Sequence, residues 1–75
     1  MKPKLKITTL EIGQAIKTRR KQLGMKQCEL AMVSGTGVRF ISDLENGKPG
    51  CELGKALAVL VNLGLEIRIT NHEGE

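Results

Sequence analysis

The sequence predicts a mainly α domain of four short helices closed by one C-terminal β-strand, and three observations predict it. Apolar residues recur at helical spacing in four segments, glycines and other helix-breaking residues separate those segments, and after Gly64 the apolar period changes from about 3.6 to 2. At 75 residues the chain supports one domain. A core this small is marginal unless an oligomer interface adds buried apolar area.

Thr8 with Glu11 three residues on has the form of a capping box, in which hydroxyl and carboxylate satisfy free amides at a helix start. The first helix then runs to about Leu23, with Ile12, Ala15, Ile16 and Leu23 inward, and stops at Gly24. The second helix covers about 27–33 and the third about 38–45. Leu30 and Val33 share one face, as do Ile41 and Leu44, while Val38, Arg39, Ser42 and Asp43 fall on the opposite side of the third helix. Small Ala31 suits a close helix crossing, and Gly35 a tight turn. Together with Gln27 and Gly47, these positions make the stretch from Met25 to Gly47 a helix-turn-helix, whose common use in a short basic chain is reading double-stranded DNA.

The run Asn46-Gly47-Lys48-Pro49-Gly50 is dense in residues that break helices and tolerate positive φ, so it is a loop. The fourth helix spans about 51–63, with Leu53, Ala56, Leu57 and Leu60 as its apolar stripe and Gly64 after its end. Gly13 and Gly54 interrupt helices at a propensity cost of about 1 kcal/mol each relative to alanine, and are read as sites of close helix crossing. In the strand, residues 65–70, Leu65, Ile67 and Ile69 alternate with Glu66, Arg68 and Thr70. A lone strand has no ladder. Its partner is either Lys4 to Thr8, where Leu5 and Ile7 also alternate, or the same strand of a second molecule, which would make the three apolar residues a dimer interface. The chain thus divides into a basic arm (1–8), the helical domain with its strand (9–70) and a polar tail (71–75).

Net charge is +4, and its distribution is uneven. Residues 1–26 hold eight of the twelve Lys and Arg against the single acid Glu11, whereas the remainder is net acidic. One edge is therefore suited to a polyanion and the other to a protein partner. Lys17, Arg19, Lys21 and Lys26 are candidate phosphate contacts. Phe40, the only aromatic residue, is read as core packing, which disfavours single-strand binding by base stacking. Cys28 and Cys51 form no Cys-x-x-Cys pair and lie apart from His72, the only histidine, so no metal site or disulfide framework is expected and a reducing cytoplasm is. Neither a signal peptide nor an apolar run of about 18 residues occurs, so no membrane partner is expected. No nucleotide-binding glycine motif, carboxylate pair or nucleophile–histidine set points to an enzyme or a cofactor.

Residues from about Glu11 to Ile69 resemble the Xre and Cro family of phage and bacterial repressors. The segments IS-x-LENGK, ELGKAL and LGLEIRI look like HipB-type antitoxins and their stand-alone regulator relatives. The resemblance implies that Val38, Arg39 and Asp43 face base edges in the major groove. It implies that Gln27 holds a phosphate, aided by the backbone around Asn46 and Lys48, with Thr36 and Gly37 at the turn completing the phosphate set. It also implies a buried ion pair between Arg20 and Glu45. Arg39 then has the chemistry to pair with guanine O6 and N7, Val38 to touch a thymine methyl, and Asp43 either to orient Arg39 or to accept from a cytosine amine. Lys26 and Gly37 stand where the family usually caps helices with Ser or Thr, and glycine at a cap costs only a few tenths of a kcal/mol. The function implied is a symmetric dimer repressing at a palindromic operator, its own promoter included, with a HipA-type kinase toxin as a second partner. The alternative is a module that chiefly sequesters a toxin.

Overall fold

The computed structural model describes residues 8–69. The basic arm before Thr8 with Lys2, Lys4 and Lys6, the strand position Thr70 and the tail with His72 lie outside the described residues. Four helices follow in order: α1 (Thr9–Gln22), α2 (Gln27–Ser34), α3 (Val38–Glu45) and α4 (Leu53–Asn62). α1 begins on a complete capping box, in which the Glu11 N–H donates to Thr8 Oγ1 at 3.1 Å and the Thr8 N–H to Glu11 Oε1 at 3.2 Å. α2 ends at Gly35, whose φ of +71° is open to glycine at no steric cost. There the Thr36 N–H reaches back to the Ala31 carbonyl at 2.9 Å, a closure that turns the chain sharply into α3.

α3 packs against both α1 and α2, and α2 against α4, around Ile16, Leu30, Ala31, Ile41, Leu44, Ala56, Val59, Leu60 and Leu63. The core departs from the apolar pattern in three places. Ala15 and Leu23 are exposed, and the buried row of α1 is instead Gly13, Ile16 and Arg20, a glycine and an arginine that no apolar period reveals. Val33 is exposed, and Leu30 is buried beside Ala31. On α4, which is shorter than expected at both ends, Leu53 (68% exposed) and Leu57 lie outside while Ala56, Val59 and Leu60 are buried. That helix has apolar residues on two faces, and docking on α2 selects one of them.

The two interior glycines separate as well. A Cβ on Gly13 would strike the Leu44 and Glu45 carbonyl oxygens, the latter at 2.7 Å, so α1 crosses the end of α3 at backbone distance. Gly54 has open space around it and marks no crossing. The α3–α4 loop is fastened to the start of α1 by Thr9, whose Oγ1 donates to the Gly47 carbonyl at 2.7 Å. Beyond α4 the Leu65 N–H bonds the Leu60 carbonyl at 2.9 Å and the chain leaves the helix. Residues 65–69 form no strand, because among the described residues no second segment pairs with them.

The contrast between the glycines is testable by thermal or urea unfolding. Gly13→Ala overpacks a backbone contact and should cost about 1–3 kcal/mol. Gly54→Ala should be neutral or stabilising by up to about 1 kcal/mol. Equal effects would mean that α1 does not approach α3 so closely.

Candidate nucleic-acid interface

The surface starts from a buried ion pair. Arg20 Nε donates to Glu45 Oε2 at 2.6 Å and Nη2 to Oε1 at 3.0 Å, a two-point geometry in which the side chains are only 9% and 2% exposed. Arg20 Nη1 also donates to the Met25 carbonyl at 2.8 Å, and Gln27 Nε2 to Glu45 Oε1 at 3.1 Å. Four pieces of chain are thus joined: the last turn of α1, the α1–α2 turn, the first residue of α2 and the end of α3. Hydrogen bonding to Glu45, less the opposing effect of burial, holds the Arg20 guanidinium above its ordinary value. Burial pushes Glu45 upward, but hydrogen bonds from Arg20 and Gln27 and the charges of Arg20 and Lys17 outweigh it, leaving the carboxyl below its ordinary range.

On this support α3 presents an open face. Val38 and Arg39 are exposed at its first turn, Ser42 and Asp43 half-buried one turn on, and Arg39 forms no ion pair among the described residues. No side chain caps α3, whose Ncap is Gly37, or accepts from the first-turn amides of α2, whose Ncap is Lys26. The Lys26 N–H instead donates to Glu29 Oε1 at 2.7 Å. Two helix starts therefore keep free N–H groups of the kind that hold phosphate oxygens. Lys17, Lys21 and Lys26 are exposed.

Several expected contacts are committed elsewhere. Arg19 Nε donates to the Leu63 carbonyl at 2.9 Å and Nη1 to Gln22 Oε1 at 3.4 Å, so this arginine closes the end of α4 and has only part of its guanidinium open to a ligand. Thr36 donates its N–H to the Ala31 carbonyl and has its hydroxyl buried without a partner among the described residues. The Asn46 and Lys48 amides bond the carbonyls of Ser42 and Asp43 at 3.0 Å each, leaving their exposed side chains and not their backbone for a ligand. Asp43 meets Lys48 Nζ at 3.7 Å instead of orienting Arg39. Gln27 has a second amide hydrogen beyond the one that serves Glu45. The pattern missed Thr9 and Arg19 as fasteners, since both bond carbonyls remote in sequence and carry no local signal. Phe40 is half-buried against the core, with Lys55 Nζ 5.9 Å from its ring centre.

Among the described residues no group of three His, Cys, Asp or Glu gathers in metal-binding proximity, and no helix is long and apolar enough to cross a membrane.

Residues 16–68 match the family described as Helix-turn-helix (HTH_3). The chain is 48% identical over 62 residues to an uncharacterized HTH-type transcriptional regulator, y4mF, of Sinorhizobium fredii, covering 83% of this chain and 82% of that one. It is 36% identical over 59 residues to the ImmF control region 10 kDa protein of Bacillus phage phi105, covering 76% of this chain and 66% of that one. Among solved structures, HipB in a HipA-HipB-O2-O3 complex superposes with a TM-score of 0.79 at 25% identity, over 95% of this chain and all (100%) of that one. A HipB-O4 20mer complex superposes at 0.78, again at 25% identity and over 95% and 100% of the two chains.

The buried pair sets a pH dependence. Because the folded Glu45 carboxyl lies below its unfolded value of about 4.3, its contribution is complete above that pH and is lost as pH falls through the folded value. Glu45→Gln should lower stability at neutral pH and flatten its decline in acid. Arg20→Ala should cost about 3–5 kcal/mol by leaving a buried carboxylate unpaired. Exchanging the two residues should recover only part, since Met25 accepts and Gln27 donates for one polarity. Additive losses in that double-mutant cycle, followed by urea unfolding, would separate the two side chains energetically.

Proposed function

Since this chain belongs to the Xre-type helix-turn-helix family of DNA-binding transcriptional regulators, we propose that it is a sequence-specific repressor that binds a palindromic operator as a homodimer, its own promoter included. The observation that carries the reading is the open face of α3 beside two helix starts with free amides, on a support fixed by a buried ion pair. Arg39 is the base reader, bidentate to a guanine; Val38 contacts a thymine methyl, and Ser42 and Asp43 complete the reading face. Phosphates are held by Lys17, Lys26, Gln27, Gly37, Asn46 and Lys48.

Dimerisation through residues 65–70, paired antiparallel with their twins, is supported by what a single chain leaves exposed. Ile69 is 92% and Val61 74% exposed, and the backbone of 65–69 has no ladder. Pairing about a two-fold axis would cover both and set two copies of α3 about 34–36 Å apart, one turn of DNA. The likeness to HipB, solved with HipA, further supports an antitoxin role in which a HipA-type kinase toxin is held away from the DNA face. The protein works in the cytoplasm and catalyses nothing.

Three measurements test the reading. Operator affinity should fall steeply with salt, and a flat slope would favour a module that chiefly sequesters a toxin. Arg39→Ala should cost about 1–3 kcal/mol on the operator and relax preference at one base pair, whereas Lys26→Ala should weaken all sequences alike. Equal loss of operator and random DNA on Arg39→Ala would make Arg39 a phosphate contact. Ile69→Lys leaves the single chain's packing untouched, so it should shift sedimentation toward monomer and weaken a full operator more than a half-site. An unchanged dimer would place the interface elsewhere.

A further inference from the structure

An apolar groove of about 220 Å³ runs beside α4, walled by Ile12, Cys51, Leu53, Leu57, Leu60 and Ile67, with Thr9 at its edge. It is smaller than the roughly 300–1,000 Å³ of small-molecule sites, and the described residues leave Leu53, Leu57 and Ile67 partly exposed along it. We propose that Leu5 and Ile7 of this chain's own N-terminal segment fill this groove, holding the basic arm against the body of its domain and not in the DNA.

The capping box supplies the first part of the case. With Thr8 as Ncap, Ile7 is the residue before the cap and Ile12 the fourth helical residue, the two positions that pack together when an apolar staple accompanies such a box. Ile12 is itself a wall of the groove. Thr8 is extended (φ −105°, ψ 164°), so the chain enters the helix at the groove's edge, where Thr9 already bonds the Gly47 carbonyl. Alternation puts Leu5 on the same face as Ile7, about 10 Å before Thr8 at strand rise, within reach of Leu53, Leu57 and Ile67. The same alternation would leave the charges of Lys4 and Lys6 out of the groove. An occupant joined to Thr8 closes no long loop, which favours it over the same side chains from a second copy. Of the residues the twin strand would cover, Val61 and Ile69 lie outside the groove and Ile67 is a wall of it, so the arm and the dimer share one residue, and this proposal does not rest on DNA binding.

Cys51 in the groove wall and exposed Cys28 on α2 provide a reporter and its control in the full-length protein. Iodoacetamide labelling of each thiol, followed by mass spectrometry, is compared between the native chain and Leu5→Ser/Ile7→Ser, which keeps every arm charge. The double variant should label Cys51 several-fold faster with Cys28 unchanged, and its Tm should fall by about 4–8 °C. In a Cys28→Ser background, Leu5→Cys should be joined to Cys51 by a short bis-maleimide within one chain, running as monomer on a denaturing gel. That second arm stands even if the serine variant unfolds. An unchanged Cys51 rate together with loss of operator affinity would assign the arm to DNA and overturn the proposal. A cross-link between chains would assign the groove to a partner's arm and overturn it equally.

Discussion

Among the described residues, the Arg20–Glu45 pair is the one polar link that ties the end of α3 to α1 and to the start of α2. Removing two charges from water costs several kcal/mol per ion, and attraction offsets that only when the geometry is close and the remaining donors and acceptors are met. Here both guanidinium edges are used, the Met25 carbonyl takes a further N–H, and Gln27 donates to the carboxylate. In this arrangement all of these are satisfied at once. Gly13 supplies the complementary steric condition, since the backbones of α1 and α3 meet where a side chain would intervene.

A second consequence concerns which charges remain for a ligand. Basic composition overstates the free cationic surface, because several cations have internal partners: Arg19 on Leu63, Lys48 on Asp43, Lys55 on Glu52 and Arg68 on Glu66. The exposed pairs among these are weak and can be exchanged for phosphate at little cost, whereas the Arg19 bond is part-buried and closes a helix end. The open face of α3 is a short row in which Arg39 is the one cation. Exposed lysines and uncapped helix starts surround it.

The small core also explains why so much apolar surface is left over. α4 buries Ala56, Val59 and Leu60 and turns Leu53, Leu57 and Val61 outward, and Ile67 and Ile69 follow in the same exposed region. A domain of this length gains from covering that surface with its own arm, a second copy, or both.

Helix starts and stops were legible in the chain because they are written within four or five residues of one another: Thr8 and Glu11 open α1, Gly35 closes α2, and α3 runs over the expected Val38–Glu45. The membership of Arg20 and Glu45 in one network was legible only through family resemblance, since they stand 25 residues apart. Which face of α1 and α4 is buried was legible only in part: Ile16, Ala56 and Leu60 are inside as expected, whereas Ala15, Leu23, Leu53 and Leu57 are not. Ala15 against Gly13, or Leu57 against Val59, is a choice among faces of nearly equal apolar content, made by the element that docks there. The same holds for the internal bond of Arg19 Nε and the burial of the Thr36 hydroxyl, because packing remote from local pattern decides both. Sequence therefore set the local elements and the chemistry available on them, while tertiary packing decided which of those groups are spent inside the fold and which remain to meet a partner, because burial depends on contacts between segments far apart in the chain.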